Sequence, residues 1–204
     1  MAKIKHTKTE LKAQTDALKR FQRFLPMLQL KKQQLQAEIA GISAKLAEVE
    51  KREAAARKRL EAWVALYSDV AVKPDRLVTF KGVRTAQGNI AGVAIPVYEG
   101  IDAEPVSLDP YRTPAWTDDA QEMLAELMAL RAEGDVLSRQ RELIREELHT
   151  TGQRVNLFEK VKIPECKENI RVIRIFIGDE QTAAVVRGKI AKGRTPVKKE
   201  EADA

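Results

Sequence analysis

The sequence is poor in the residues that build disulfide frameworks, metal centres and large aromatic cores. It has one cysteine, two histidines and 5% aromatic residues in 204 positions. A single cysteine excludes an internal disulfide and a cysteine-rich zinc site. The sequence also lacks a phosphate-binding loop, a G-x-G-x-x-G fingerprint and an H-E-x-x-H zinc motif. These absences favour a mechanical or interaction protein, for which we expect no catalytic residue, no cofactor and no metal.

Long hydrophobic runs are absent as well. The longest largely apolar stretch, Ala91 to Tyr98, contains a glycine and a proline and is too short to span a bilayer. The first residues have no apolar core following their lysines, which argues against a secretory signal. We therefore expect a soluble, cytoplasmic protein without direct membrane insertion.

Charge is abundant and unevenly placed. Charged residues make up 32% of the chain, and the formal net charge is +6. Residues 1–24 carry seven Lys or Arg against two acids, and residues 185–199 carry six and no acid. Many charged residues and few aromatic residues are typical of long amphipathic helices, which bury only a narrow apolar stripe.

The first third of the chain has a heptad pattern. Alternating steps of three and four residues from Leu11 to Tyr67 meet an apolar residue at fourteen of seventeen positions. A sustained 3.5-residue repeat predicts a coiled-coil helix, here over residues 1–70, with a kink at Pro26. The alternative is a set of shorter helices in an ordinary bundle.

The last third, residues 117–192, continues the pattern as a second coiled-coil helix. After Phe158 the apolar path shifts by one residue, close to Pro164, and a local bulge could absorb the extra residue. Gly178 and Asp179 could instead end one helix and begin another. Cys166 lies on the path and is expected to be a small buried residue. The predicted coil seam comprises Leu18, Phe21, Leu25, Leu28, Leu35, Ile39, Ile42, Leu46, Val155, Phe158, Ile170, Ile173 and Ile177.

The middle, residues 71–116, holds five of the eight prolines and four of the ten glycines. Two β-rich segments, RLVTFKGV and IAGVAIPVYE, predict a hairpin whose turn lies at Gly88 and Asn89. Pro96 restricts its strand to a sheet edge. Because two strands alone are marginally stable, the hairpin must pack on the helices or on another protein.

The expected fold is therefore mainly α, a long antiparallel two-helix coiled coil with a small hairpin-containing middle region and a disordered tail at 193–204. Placing Leu11 opposite position 180 would bring Lys32 near Glu159 and Glu53 near Arg139. The same register would place Pro26 and Pro164 side by side. Both basic ends would then form one positive tip.

Three blocks resemble the D subunit of V-type ATPases, the central stalk of a rotary motor. They are Thr7 to Gln36, with its L-P-x-L-x-L-K-K-Q-x-L run; Asn89 to Glu99, followed by T-P-A-W-T-D-D-A; and Arg154 to Lys192. The resemblance implies a non-catalytic rotor shaft that transmits torque between the membrane ion-translocating ring and a hexamer of A and B subunits. It also implies contacts with the F subunit and the C subunit (called d in eukaryotes), no nucleic acid, and a place peripheral to the membrane in the V1/A1 sector.

The contacts can be assigned to residues as hypotheses. The proposed hexamer contacts are Lys3, Lys5, Lys8, Lys12, Arg187, Lys189 and Lys192. The proposed contacts with the F subunit or the base are Val78, Phe80, Ile90, Val93, Ile95 and Val97. The alternatives are a prefoldin-like coiled-coil chaperone and a coiled coil that binds nucleic acid through its basic end. The gamma subunit of F-type ATP synthase should carry a larger α/β domain between its helices.

Overall fold

A computed structural model describes residues 4–61, 77–109, 111, 113–114 and 116–194. Helix α1 spans Lys8–Glu61, strands β1 and β2 span Val78–Ile90 and Val93–Pro105, and helix α2 spans Thr117–Leu157. A π-helical turn, Phe158–Lys162, leads into helix α3, Ile163–Arg194. This mainly helical order with a central hairpin confirms the predicted fold class. The predicted end of the first helix at residue 70 lies outside the described residues, as do residues 195–204 of the predicted tail. Residues 193 and 194, predicted to begin that tail, instead belong to α3.

The chain divides into two compact units. One combines residues up to Gln29 with those from Gln153 onward, and is called the end unit here. The other, the hairpin unit, comprises Leu30–Gly152.

In the hairpin unit, α1 and α2 run antiparallel around a shared core. Lys31 pairs with Glu147, and Arg59, further along α1, pairs with Glu126. The core takes residues from both helices and from β2: Leu35, Ile42, Leu46, Val49, Ala56, Ile95, Leu130, Leu137 and Ile144. Hairpin residues Ile90, Ala91 and Val93 pack against it. Of the two options predicted for the hairpin, packing on the helices or on another protein, the structure shows packing on the helices.

The predicted pairing of the helices is wrong. Glu53 forms an ion pair with Arg131 at 3.4 Å, whereas the predicted partner, Arg139, lies eight residues, or about 12 Å of helix, further along α2. The predicted pairing of Lys32 with Glu159 belongs to the same register. The structure instead pairs the neighbouring Lys31 with Glu147.

The turn of the hairpin also differs from its prediction. The chain reverses at Ala91 and Gly92, with φ of 51° and 84°, and the Gly92 N–H donates to Asn89 Oδ1 at 2.9 Å. Both central residues of this tight turn need positive φ, which matches the strand twist. Gly88 lies within β1, where a Cβ would come within 2.7 Å of Val97 Cγ2. Any larger residue at position 88 would force Val97 to shift, so this glycine serves the close approach and not the turn.

In the end unit, α1 pairs with the π-helical turn and α3, again antiparallel. The rings of Phe21 and Phe158 are 5.0 Å apart between centroids. Asn169 Nδ2 donates to Gln14 Oε1 at 3.4 Å. Residue numbers thus fall along α1 as they rise along α3.

The two prolines of this unit do not lie side by side, contrary to prediction. Pro164 lines a groove together with Gln14. Phe21 faces Phe158. Because the helices are antiparallel, Pro26, which follows Phe21, and Pro164, which follows Phe158, lie in opposite directions from this contact. Pro26 is contained within the continuous helix α1, and its kink stays a prediction.

The predicted bulge after Phe158 is confirmed as a π-helical turn. The Ile163 N–H donates to the Phe158 carbonyl, five residues earlier. This wider turn accommodates the extra residue in the apolar path. Helix α3 then continues without a break to Arg194, so the alternative division at Gly178 is wrong.

Candidate interaction surfaces

Two kinds of feature are absent from the part of the chain that the structure describes: clusters of three or more metal-ligating side chains, and helices able to span a bilayer. No group of three or more His, Cys, Asp or Glu residues converges there. Among the same residues, no helix has the length and apolarity that crossing a bilayer requires.

Cys166 is a buried residue of α3. Burial raises the pKa of its thiol, and the nearby Glu165 carboxylate acts in the same direction. A neutral, buried thiol is a poor nucleophile, which agrees with its interpretation as a packing residue.

All thirteen predicted seam residues are buried or partly buried. Those that are buried are Leu35, Ile42, Leu46, Val155, Ile170 and Ile173. The partly buried ones are Leu18, Phe21, Leu25, Leu28, Ile39, Phe158 and Ile177.

The basic residues near the chain ends do not all line one groove. Lys8 and Arg187 line the same groove. Lys5 instead lines a groove with Lys160 and Glu165. Lys12 is exposed on α1, Lys189 and Lys192 are exposed on α3 beyond Arg187, and Lys3 lies outside the described residues.

The cause of this separation is a reversal before α1. Thr7 N–H donates to the Lys5 carbonyl at 3.0 Å. Ile4 and Lys5 line the same groove as Glu10 and Gln14, so the chain runs back along α1. The heptad pattern of α1 gives no signal for this reversal.

The final part of α3 is exposed over its whole length. Residues 178–193 contain no buried or partly buried position. Val185, Val186 and Ile190 are 59%, 49% and 52% exposed, among the basic residues of the same stretch. Apolar side chains clustered on an exposed helix are typical of a surface that a partner covers. Sequence reasoning singled out the charges here and missed the apolar residues between them.

The hairpin residues proposed for partner contact separate into two groups. Val78 and Ile95 are buried inside the chain, and Ile90 and Val93 pack against the core. Phe80 and Val97 are exposed, at 50% and 39%. Phe80 and Val97 are therefore the two of the six that are most available to a partner.

Val83 is as exposed as Val97, at 39%, but the sequence did not single it out as a contact residue. The strand pairing shifts between Phe80 and Gly82 and again between Arg84 and Thr85. These two irregularities interrupt the period-2 alternation from which strand faces are predicted.

A cleft of about 710 Å³ separates part of the hairpin from the helices. Its apolar lining includes Phe80 and Val83 from β1 and Leu127, Met128 and Val136 from α2.

The rim of this cleft is charged. Glu53 pairs with Arg57 at 2.9 Å and with Arg131 at 3.4 Å, and Arg131 also approaches Asp135 at 3.9 Å. An apolar floor with a polar rim is the usual anatomy of a protein–protein contact.

Comparisons with known proteins agree on one family. The model of the family of ATP synthase D subunits matches residues 10–193. The V-type ATP synthase D subunit of Borreliella burgdorferi is 45% identical over 194 residues, covering 94% of this chain and 95% of the relative. The protein of the same name from Chlamydia caviae is 32% identical over 205 residues, covering 99% and 98%.

Proposed function

Since the chain belongs to the family of ATP synthase D subunits and is a central stalk component of a V-type ATP synthase, we propose that it acts as the rotor shaft. It transmits torque between the membrane ion-translocating ring and the hexamer of A and B subunits. The nucleotide chemistry belongs to that hexamer, so this shaft is non-catalytic. The observation that carries the proposal is the antiparallel pairing of helices within each unit, fixed by ion pairs and ring contacts.

The exposed end of α3 is the proposed contact with the hexamer. A shaft that lacks threefold symmetry meets each catalytic pair through different residues, so rotation changes which site is stabilised. Such coupling requires contacts that differ between states. Val185, Val186 and Ile190 offer apolar contact, and Arg187, Lys189 and Lys192 offer charge that orients it.

The cleft beside the hairpin is the proposed site for the F subunit. Phe80 and Val83 line it, and Val97 is exposed on the other strand. The C subunit is the proposed base that couples the shaft to the ring. In this arrangement the shaft lies peripheral to the membrane, in the V1/A1 sector. The family membership does not favour a prefoldin-like chaperone or a nucleic-acid-binding coiled coil.

Two double variants test these two surfaces separately. Val186→Asp with Ile190→Asp places carboxylates on the exposed end of α3, and Phe80→Asp with Val83→Asp places them in the cleft. We expect the first to weaken binding to the A/B hexamer about tenfold or more while binding of the F subunit persists, and the second to do the reverse. Each variant is the folding and specificity control for the other, and far-UV circular dichroism checks that helicity is kept. Hexamer binding and ATP-driven rotation that are unchanged by the α3 variant would contradict the assignment.

A further inference from the structure

At its open end the hairpin is attached to α2 by the side chain of Gln121, in addition to the apolar packing of Leu77 and Val78 against Ala120. Gln121 Nε2 donates to the carbonyl oxygens of Leu77, at 3.0 Å, and Val106, at 2.8 Å. These carbonyls lie immediately before β1 and immediately after β2. The Val106 N–H also donates to the Leu77 carbonyl, at 3.1 Å. One side-chain amide thus binds the start of β1 and the end of β2 together.

A second glutamine holds β2 further along. Gln140 is 7% exposed, and its Nε2 donates to the Pro96 carbonyl at 2.5 Å. Pro96 pairs with Gln87 in the strand register, close to the turn. Ile95, its neighbour, is buried in the core. This end of the hairpin is therefore also fixed to α2.

The distances along the two elements agree. Gln121 and Gln140 are 19 residues apart, or about 28 Å of helix. Val78 and Gln87 are nine residues apart, or about 30 Å of strand. The hairpin therefore lies along α2 between its two attachments.

The cleft lies between these attachments. Leu127, Met128 and Val136, which line it from α2, fall between the two glutamines in sequence, and Phe80 and Val83 face them from β1. Phe80 and Val83 of β1 face α2 across the cleft, whereas Tyr98 of β2 lies beside Glu133 of α2. The apolar packing at either end has no directional preference, whereas two hydrogen bonds to carbonyls far apart along the hairpin fix its orientation on α2.

We propose that Gln121 and Gln140 are positioning residues that fix the hairpin along α2 and hold the cleft open. Their partners are backbone carbonyls, so they set the position of the strand itself, whatever side chains it carries. Resting on the proposed function, this also makes the hairpin turn with the shaft as one rigid body.

Distance measurement tests the proposal in the full chain. Thr85→Cys and Glu122→Cys, both exposed, carry spin labels in a Cys166→Ala background. The variants Gln121→Met, Gln140→Met and both together remove the amide donors at similar side-chain length. Gln34→Met, an exposed glutamine of α1, is the matched control. We expect one narrow distance distribution in the parent and the control, and a broadened or shifted one in the double variant.

Hydrogen exchange supplies the second measurement. A typical net hydrogen-bond contribution of 0.5–1.5 kcal/mol corresponds to about a 2- to 13-fold change in an opening equilibrium. Exchange of the strand amides near Pro96 should accelerate by about that factor in Gln140→Met, and that of amides near Val106 in Gln121→Met. The single variants decide the question if the double variant does not fold.

The outcomes separate this proposal from the rotor function. Unchanged distance distributions and exchange rates in all glutamine variants would overturn the positioning role. A parent chain that fails to assemble with the hexamer would contradict the rotor function, but the distances between the spin labels would not be affected. In the assembled complex, the ratio of ions moved to ATP hydrolysed should fall in the double variant and stay at the parent value in Gln34→Met.

Discussion

The π-helical turn at Phe158–Lys162 leads to a specific expectation for a deletion. Removing Lys160, an exposed residue of the turn, should leave the chain folded with almost unchanged stability. The turn contains one residue more than the heptad path requires, since Phe158 and Cys166 are eight residues apart. After the deletion they are seven apart, and an ordinary α-helix keeps both on the seam.

The magnitude follows from what each deletion does to the buried side chains. The π-helical turn itself contains no buried residue, so we expect the free energy of unfolding to change by less than about 1 kcal/mol. The matched control is deletion of Lys45, an exposed residue of α1, which is α-helical throughout. That deletion rotates the following residues by about 100° and moves Leu46 and Val49 off the seam. Losing burial of about 1.5–3 kcal/mol each amounts to roughly 3–6 kcal/mol.

Urea unfolding followed by far-UV circular dichroism measures both deletions against the parent, with midpoint and slope analysed together. The reasoning fails if removing Lys160 costs as much free energy as removing Lys45. It also fails if the Lys160 variant keeps its stability but the side chain of Ile173, buried in the parent, becomes exposed to solvent.

Three further predictions concern single positions. Ile144 is fully buried, so Ile144→Ala should lower the free energy of unfolding by about 2–5 kcal/mol in the same urea assay. Ala91→Gly relieves a positive φ and should change stability by less than about 1 kcal/mol, whereas Gly88→Ala, whose Cβ would meet Val97, should be clearly destabilising in thermal unfolding. Because burial raises the pKa of the Cys166 thiol, alkylation in the folded chain should require higher pH than in urea, and equal rates in both would contradict it.

The helices and the bulge were predictable because both depend on a one-dimensional repeat. Buried residues such as Leu35 and Ile173 fall on the counted seam. A shift of one residue after Phe158 can be satisfied only by a wider turn or by loss of the seam. The structure uses the wider turn. These features follow from the period of the pattern, which needs no knowledge of the partner helix.

Features that depend on close contact were not predictable. Gly88 and Asn89 have the composition of a turn, yet Gly88 serves the close approach to Val97. The turn residue Ala91 adopts a positive φ that alanine rarely has. The attachments through Gln121 and Gln140 have no local signal, since a glutamine on a helix is usually a solvated residue. Such positions are determined by strands packed from elsewhere in the chain.

The error in helix pairing has a more general cause. A heptad seam buries nearly the same apolar area when one helix slides by seven residues, so the repeat alone leaves several registers of similar energy. The predicted register and the observed one differ by about one heptad at Glu53, and each gives it an arginine partner. A single pair of opposite charges therefore cannot decide between the two registers, because an exposed ion pair contributes only about 0–1 kcal/mol.

Several ion pairs that form together can decide between registers. The observed register joins Arg52 to Glu133, Glu53 to Arg131 and Arg59 to Glu126. It also leaves Gln140 within reach of Pro96 on the hairpin. Charge pairs along the helices and the attached hairpin therefore select among registers that the apolar seam alone leaves nearly equal. For a shaft that carries torque, this makes the hairpin part of what fixes the alignment of the two helices.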